Sequence, residues 1–268
     1  MASEPGQSGN QGSWPRGKDP EKERGALSPL VPSEQKKEAD KKRGSAWLER
    51  NCPRMITCVI GFTGQGKSTL AYYVAQRATT RVIFDPRGQY YTTADVLPDS
   101  GGLYELLDDR YEIIVRPGRG EEVEENFDHT CRVVADWIED NPHESICLLV
   151  DETRLVGLES KSGSLHFDWI VRSAREGSPI DVLLTCHRPV DVSTNLRAIA
   201  NRLVFFRVML PNDLAAIEEQ CGPVVSREVN LLLDKQFVTW NNSRQQWRKV
   251  TDPSGWYIRI DGNPGSNT

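Results

Sequence analysis

Eight consecutive residues, Gly61-Phe62-Thr63-Gly64-Gln65-Gly66-Lys67-Ser68, have the types and spacing to hold a triphosphate. They fit the pattern G-x-x-x-x-G-K-S/T, in which each residue type has a task. The glycines let the chain curl so that successive backbone N–H groups face phosphate oxygens. Lys67 can reach the β- and γ-phosphates, and the Ser68 hydroxyl can coordinate Mg²⁺, with Thr69 next in the same loop-to-helix junction. Context gives the string its force. It follows an apolar run over 55–61 and opens a helical stretch over 67–77, whose N-terminus adds partial positive charge.

A triphosphate site needs an acid from a second strand. Ser145-Ile146-Cys147-Leu148-Leu149-Val150-Asp151-Glu152 supplies one at the end of a nearly continuous apolar run. Asp151 is placed to hold Mg²⁺, directly or through its bound water. Glu152 is expected to turn outward and polarise the attacking water, which argues for hydrolysis of ATP over a slow nucleotide-gated switch. Thr185-Cys186-His187-Arg188-Pro189 closes a further strand, so His187 comes near the γ-phosphate and can report on it. The alternative for His187 is a satisfied polar residue at a strand end. Arg172 and Arg175 stand three apart on one helix face. A single subunit with few cations near the γ-phosphate borrows one from a neighbour, so one of the two reads as an arginine finger at a subunit interface. A solvated or salt-bridged helix face is the rival reading.

These residues need elements to position them. Apolar runs over 81–84, 112–115, 145–150, 181–186 and 203–208 read as strands. Periodic stretches over 127–139, 165–176 and 195–200 read as helices. Such alternation predicts an α/β fold with a mostly parallel sheet and helices on both faces. Further on, 213–220 and 226–233 read as short helices, and 237–240 with 246–250 as a small C-terminal β hairpin around Asn241-Asn242-Ser243-Arg244. Residues 256–260 offer another strand, and 261–268 a frayed end. The Trp and Tyr residues of this part read as pinning the hairpin in preference to stacking on bases. The expected division is a disordered polar tail over 1–46, a core over 47–235 and a C-terminal β extension over 236–268.

Bulk properties limit the function classes. With 268 residues, 33 basic against 38 acidic side chains and a net charge of -5, the chain has no overall basic field, so a nucleic acid must be met by a local patch or by loops gathered in an oligomer. The six cysteines form no C-x-x-C pair, and Cys58, Cys147 and Cys186 lie in apolar runs, as core residues of a reduced compartment do. No run approaches 18 apolar residues and the N-terminus lacks an apolar signal core, so an intracellular protein without a membrane span is expected. The tail mixes Lys36, Lys37, Lys41, Lys42 and Arg43 with Glu34, Glu38 and Asp40, which reads as a floppy tail or as a tether.

Four segments, GFTGQGKST (61–69), VIFDPRGQY (82–90), LLVDE (148–152) and VRSAREGSPIDVLLTCHRPVDV (171–192), resemble the HerA/FtsK branch of additional-strand P-loop ATPases. That branch includes DNA-pumping translocases, conjugation ATPases and the genome-packaging ATPases of membrane-containing, double-jelly-roll viruses. Gln89 stands where its members commonly carry Glu, and His187 where they carry a sensor glutamine, with Thr185 or Cys186 in the preceding place. The resemblance spans roughly residues 54 to 210. It implies a RecA-like core binding ATP and Mg²⁺, and a homo-oligomeric ring, often a hexamer, that moves double-stranded DNA. Arg172 or Arg175 would act in trans, and the loop over 153–163, with Arg154 and Lys161, would face the channel or remain a mobile polar loop. A nearly bare core resembles the viral packaging ATPases most, which implies packaging of viral DNA in the host cytoplasm or at the virion vertex. A capsid vertex protein or viral membrane component is the implied partner. An ATPase of phage assembly or secretion, and a nucleotide-dependent structural or regulatory protein, are the alternatives.

Overall fold

Parallel strands covered on both faces require apolar side chains at almost every position, and this chain supplies such runs repeatedly. The computed structural model describes residues 55–90, 94–118, 122–159 and 164–251. In chain order the elements are β1 (Ile56–Ile60), α1 (Lys67–Ala75), β2 (Thr80–Phe84), β3 (Asp95–Leu97), α2 (Leu103–Asp109), β4 (Glu112–Val115), α3 (Glu122–Asp140) and β5 (Ile146–Val150). Then follow α4 (Leu165–Glu176), β6 (Ile180–Cys186), α5 (Thr194–Ile199), β7 (Arg202–Phe206), α6 (Pro211–Cys221), α7 (Pro223–Asn230), β8 (Phe237–Asn241) and β9 (Gln246–Val250). The expected tail over 1–46, strand over 256–260 and end over 261–268 lie outside the described residues, as do Cys52 and Lys161.

The strands form one sheet in the order β3-β4-β2-β5-β6-β1-β7-β8-β9. The first seven in that order are parallel; β8 runs antiparallel to β7, and β9 to β8, so the hairpin prolongs the main sheet. The strand β6 lies between β1, which leads into the phosphate loop, and β5, which ends in the two acids. Register then sets the site: Ile60 lies opposite Cys186, and Val150 opposite Leu184, which brings Asp151 level with Thr185 at the carboxyl ends. On one face α1 packs over Val59, Ile83, Leu149 and Leu183. On the other, Phe84, Phe127 and Phe167 stack in succession at centroid distances of 5.2 and 5.5 Å and join α3 and α4 to β2.

Several elements differ from the periodicity. Helix α3 begins at Glu122, well before 127, because Glu122, Glu124 and Glu125 suit the positive end of a helix while Val123 reaches the core. Neither β3 nor α2 is expected from the sequence: β3 is a three-residue edge strand with Val96 exposed, and α2 buries only Leu103 and Leu107. Trp240 packs in the core at 5% exposure, but its cross-strand partner Trp247 is 41% exposed, so only the first pins the hairpin. The five described cysteines are buried free thiols. No helix among the described residues is long and apolar enough to cross a membrane.

Candidate functional site

The phosphate loop leaves β1 at Gly61, whose N–H donates to the Cys186 carbonyl at 3.2 Å. A Cβ on Gly61 would lie 2.5 Å from the Phe206 Cβ, so only glycine lets β7 pack this closely. Gly64 and Gly66 take positive φ values of 83° and 100°, the left-handed turns that bring the chain round to α1. Lys67, buried at the start of α1, donates from Nζ to the Phe62 carbonyl at 3.1 Å and lies 3.4 Å from His187 Nδ1. Thr63 Oγ1 is 3.5 Å from the same ring nitrogen, and Thr69 is exposed one residue beyond Ser68. Gln65 Oε1 is buried without a hydrogen-bond partner. Burial lowers the Lys67 pKa, while Glu152, Cys186 and Asp151 oppose that shift.

Ser68 Oγ donates toward Gln89 Oε1 at 3.2 Å and Asp151 Oδ1 at 3.4 Å. The same Asp151 oxygen accepts from Thr185 Oγ1 at 2.7 Å and lies 3.5 Å from the Tyr90 hydroxyl. Its other oxygen, Oδ2, is buried with no partner. Burial raises the Asp151 pKa and the Thr185 hydrogen bond works against it. A carboxylate oxygen left unpaired beside a hydroxyl is the hard oxygen chemistry that Mg²⁺ takes, alongside phosphate oxygens and water. Asp151 and Ser68 therefore fit that ion. Of the two residues that could stand before His187 in the polar place, Thr185 occupies it; Cys186 is 1% exposed within the apolar core.

Glu152 does not turn outward. It is 4% exposed, and its backbone adopts φ 57°, ψ 71°, a conformation uncommon outside glycine. Strain of that kind is held only where surrounding structure enforces it. Here the Glu152 N–H donates to Thr185 Oγ1 at 3.2 Å, Oε1 lies 2.9 Å from His187 Nε2, and Oε2 lies 3.5 Å from Arg87 Nη2. Burial raises the Glu152 pKa against the opposing pull of Arg87 and Lys67. Burial lowers that of His187, and Lys67 and Arg87 lower it further. A neutral His187 accepts from the Lys67 ammonium at Nδ1, so its proton sits on Nε2 and donates to Glu152. Lys67, His187 and Glu152 thus form a chain of contacts from the phosphate loop to the second acid beyond β5.

Arg87 is the residue that sequence reasoning missed; it lies in the turn Asp85-Pro86-Arg87-Gly88, just past the apolar run over 81–84. That turn is firmly held. Asp85, wholly buried, accepts from the N–H groups of Gln89 at 2.8 Å and Tyr90 at 3.1 Å, and pairs with Arg116 Nη2 at 2.8 Å. Arg116 also donates to the Tyr90 carbonyl at 2.7 Å. Because β2 neighbours β5, the turn stands beside Glu152. Lys67 and Arg87 of one subunit thus stand against the two nitrogens of the His187 ring.

Arg172 and Arg175 are not brought to this site. Both are exposed on the second half of α4, whose chain enters β6 at the end opposite Cys186. The strand length puts about 20 Å between the two edges. The first part of the loop after the acids is folded, not a mobile strand of polar residues: Thr153–Val156 is a 3-10 turn, with Thr153 Oγ1 donating to the Asp191 carbonyl at 3.2 Å and Ser193 N–H to the Leu158 carbonyl at 3.1 Å. Arg154 is exposed on it.

No protein-family model and no curated protein matches the chain. Among solved structures it is similar to the genome packaging NTPase B204 from Sulfolobus turreted icosahedral virus 2 in complex with ATP-gammaS, at TM-score 0.62 and 15% identity over 74% of this chain and 97% of that one. The DNA-packaging ATPase B204 from Sulfolobus Turreted Icosahedral Virus gives TM-score 0.61 at 16% identity, with 74% and 97% covered. The chain shares their fold. It is an α/β P-loop NTPase fold, a mostly parallel sheet with antiparallel strands added at its C-terminal edge. The likeness takes in nearly all of B204.

Proposed function

We propose that this chain binds ATP with Mg²⁺ and hydrolyses it, as one subunit of a ring motor that moves double-stranded viral DNA into a capsid. The observation that carries the ATPase reading is the meeting of Lys67, Asp151, Glu152 and His187 at the carboxyl ends of three adjacent strands. Loop N–H groups and Lys67 bind the β- and γ-phosphates, while Ser68 and Asp151 hold Mg²⁺. When bound, that ion neutralises phosphate charge. Glu152 takes a proton from the attacking water, and its raised pKa suits a base working in a buried site. His187 orients Glu152 through Oε1 and is linked to the phosphate through Lys67.

The DNA-moving part of the reading is supported by the fold shared with a packaging NTPase, whose structures hold ATP-gammaS and AMPPCP. In a ring, Arg172 or Arg175 faces a neighbour's site and Arg154 a DNA backbone, which it holds without reading sequence. Partners are further copies of this chain, double-stranded DNA and a component of the packaging vertex, met in the host cytoplasm. The test is ATP turnover with and without long double-stranded DNA, for the native chain and Glu152→Gln, in preparations whose assembly is measured. Turnover stimulated by DNA, and a Glu152→Gln variant that binds ATP without hydrolysing it, are expected. A native ring with no turnover overturns the motor reading.

A further inference from the structure

Arg87 is poorly used in the site as it stands. Its Nη2 is 3.5 Å from Glu152 Oε2, long beside the roughly 2.7–2.9 Å of a good charge-assisted hydrogen bond. Its Nη1 is 3.3 Å from His187 Nε2, which already donates to Glu152, so two donors face each other there. These are the contacts of Arg87 among the described residues, and its side chain is 41% exposed. The turn beneath it is the opposite case, bolted through Asp85 and Arg116. A rigid base thus carries a loosely held guanidinium. The distances also place it: Lys67 Nζ is 3.4 Å from one nitrogen of the His187 ring, and Arg87 is 3.3 Å from the other. A phosphate held by Lys67 lies within reach of Arg87.

We propose that Arg87 is a catalytic arginine supplied within the subunit, resting on Glu152 while the site is free of nucleotide and moving to the γ-phosphate when ATP enters. This rests on the reading of the chain as an ATPase. A phosphate offers the guanidinium a bidentate pairing that a single long contact with Glu152 does not. The move also frees Glu152 Oε2. The water oxygen then forms its bond to the γ-phosphorus, its proton goes to Glu152, and the bridging P–O bond breaks with its electron pair leaving on ADP. Before that move both Glu152 oxygens are engaged, so proton acceptance is tied to the presence of the phosphate that Arg87 binds.

The experiment compares the full chain with Arg87→Ala and Arg87→Lys in assembled rings. The native chain must turn over ATP in the same assay; if it does not, the ATPase reading fails and not the placement of Arg87. Arg87→Ala is expected to lower kcat by about 10²–10³-fold, the range seen on losing one transition-state donor. Affinity for ADP should change less than about threefold, since ADP lacks the γ-phosphate. Trapping of ADP with aluminium fluoride is expected to be lost in Arg87→Ala and partly restored in Arg87→Lys. Because both lesions strike the same site, mixing Arg87→Ala with Lys67→Ala subunits is expected to recover nothing. A kcat near the native value, retained aluminium fluoride trapping, a matching loss of ADP affinity, or recovery on mixing each overturns the proposal.

Discussion

Thr185 Oγ1 donates to Asp151 Oδ1 at 2.7 Å and accepts from the Glu152 N–H at 3.2 Å. A single hydroxyl on β6 therefore ties together both acids at the end of β5, two residues before His187. Removing it as Thr185→Val leaves a buried carboxylate with less compensation and frees the strained backbone of Glu152. Stability should fall by about 1–3 kcal/mol, as for an unsatisfied buried polar group. The Mg²⁺ concentration for half-maximal turnover should rise, while Thr185→Ser stays near native in both respects. Denaturant unfolding and a Mg²⁺ titration of ATPase activity check this; an unchanged Mg²⁺ requirement in Thr185→Val sinks it.

The Glu152 charge should weaken the nucleotide-free fold. Burial holds its carboxyl above the ordinary 4.5 in spite of Arg87 and Lys67. A raised native pKa means that the folded state binds this proton more tightly than the unfolded chain does. The resulting stability is fully present below 4.5 and is lost as pH rises through the native value. Glu152→Gln has no such loss. It should be more stable than the native chain at neutral pH, with the gap closing as pH falls toward 4.5. Asp151 and His187 titrate in both proteins and largely cancel in the difference. Denaturant unfolding across pH decides; a gap that does not vary with pH contradicts the assignment.

Gly61 and Gly64 should fail for different reasons. A methyl on Gly61 meets the Phe206 Cβ at 2.5 Å, an atom fixed to the backbone of a central strand. Gly61→Ala must push β7 away, at a cost of about 1–3 kcal/mol typical of overpacking. Gly64 has open space around it but φ 83°, so Gly64→Ala carries only the conformational cost of about 1–2 kcal/mol. The melting temperature of Gly61→Ala is expected to drop further. Equal drops in the two variants would show that packing against Phe206 is not what requires glycine at position 61.

How much of this was legible follows from which relations are local. The phosphate loop and the Asp151-Glu152 pair each lie at the end of one apolar run, so spacing along the chain suffices to find them. Alternation of apolar runs with helical stretches likewise announces a parallel sheet. Arg87 is different: it meets His187 from 100 residues away, and nothing in the alternation says that β2 will lie beside β5. The inward turn of Glu152 is hidden for the same reason, since Arg87 and His187 pull it in. Short β3 and α2 carry too few buried residues for a periodic signal, with Leu103 and Leu107 alone buried in α2.

Arg172 and Arg175 sit at the far edge of the sheet from their own Lys67, exposed on α4, so a role in hydrolysis must be played in a neighbour's site. Mixed rings separate that role from a structural one. Arg172→Ala or Arg175→Ala subunits keep an intact site and lack only what they lend, while Lys67→Ala subunits have a dead site and still lend it. In an equal mixture of a head-to-tail ring, half the subunits keep a working site and half of those have a lending neighbour, so about a quarter of the sites should regain activity. The arginine that gives this recovery is the finger. An arginine whose loss leaves turnover near native is a solvated helix face, and one whose loss abolishes turnover without recovery on mixing acts in assembly instead, a result that sedimentation of the variant rings shows directly.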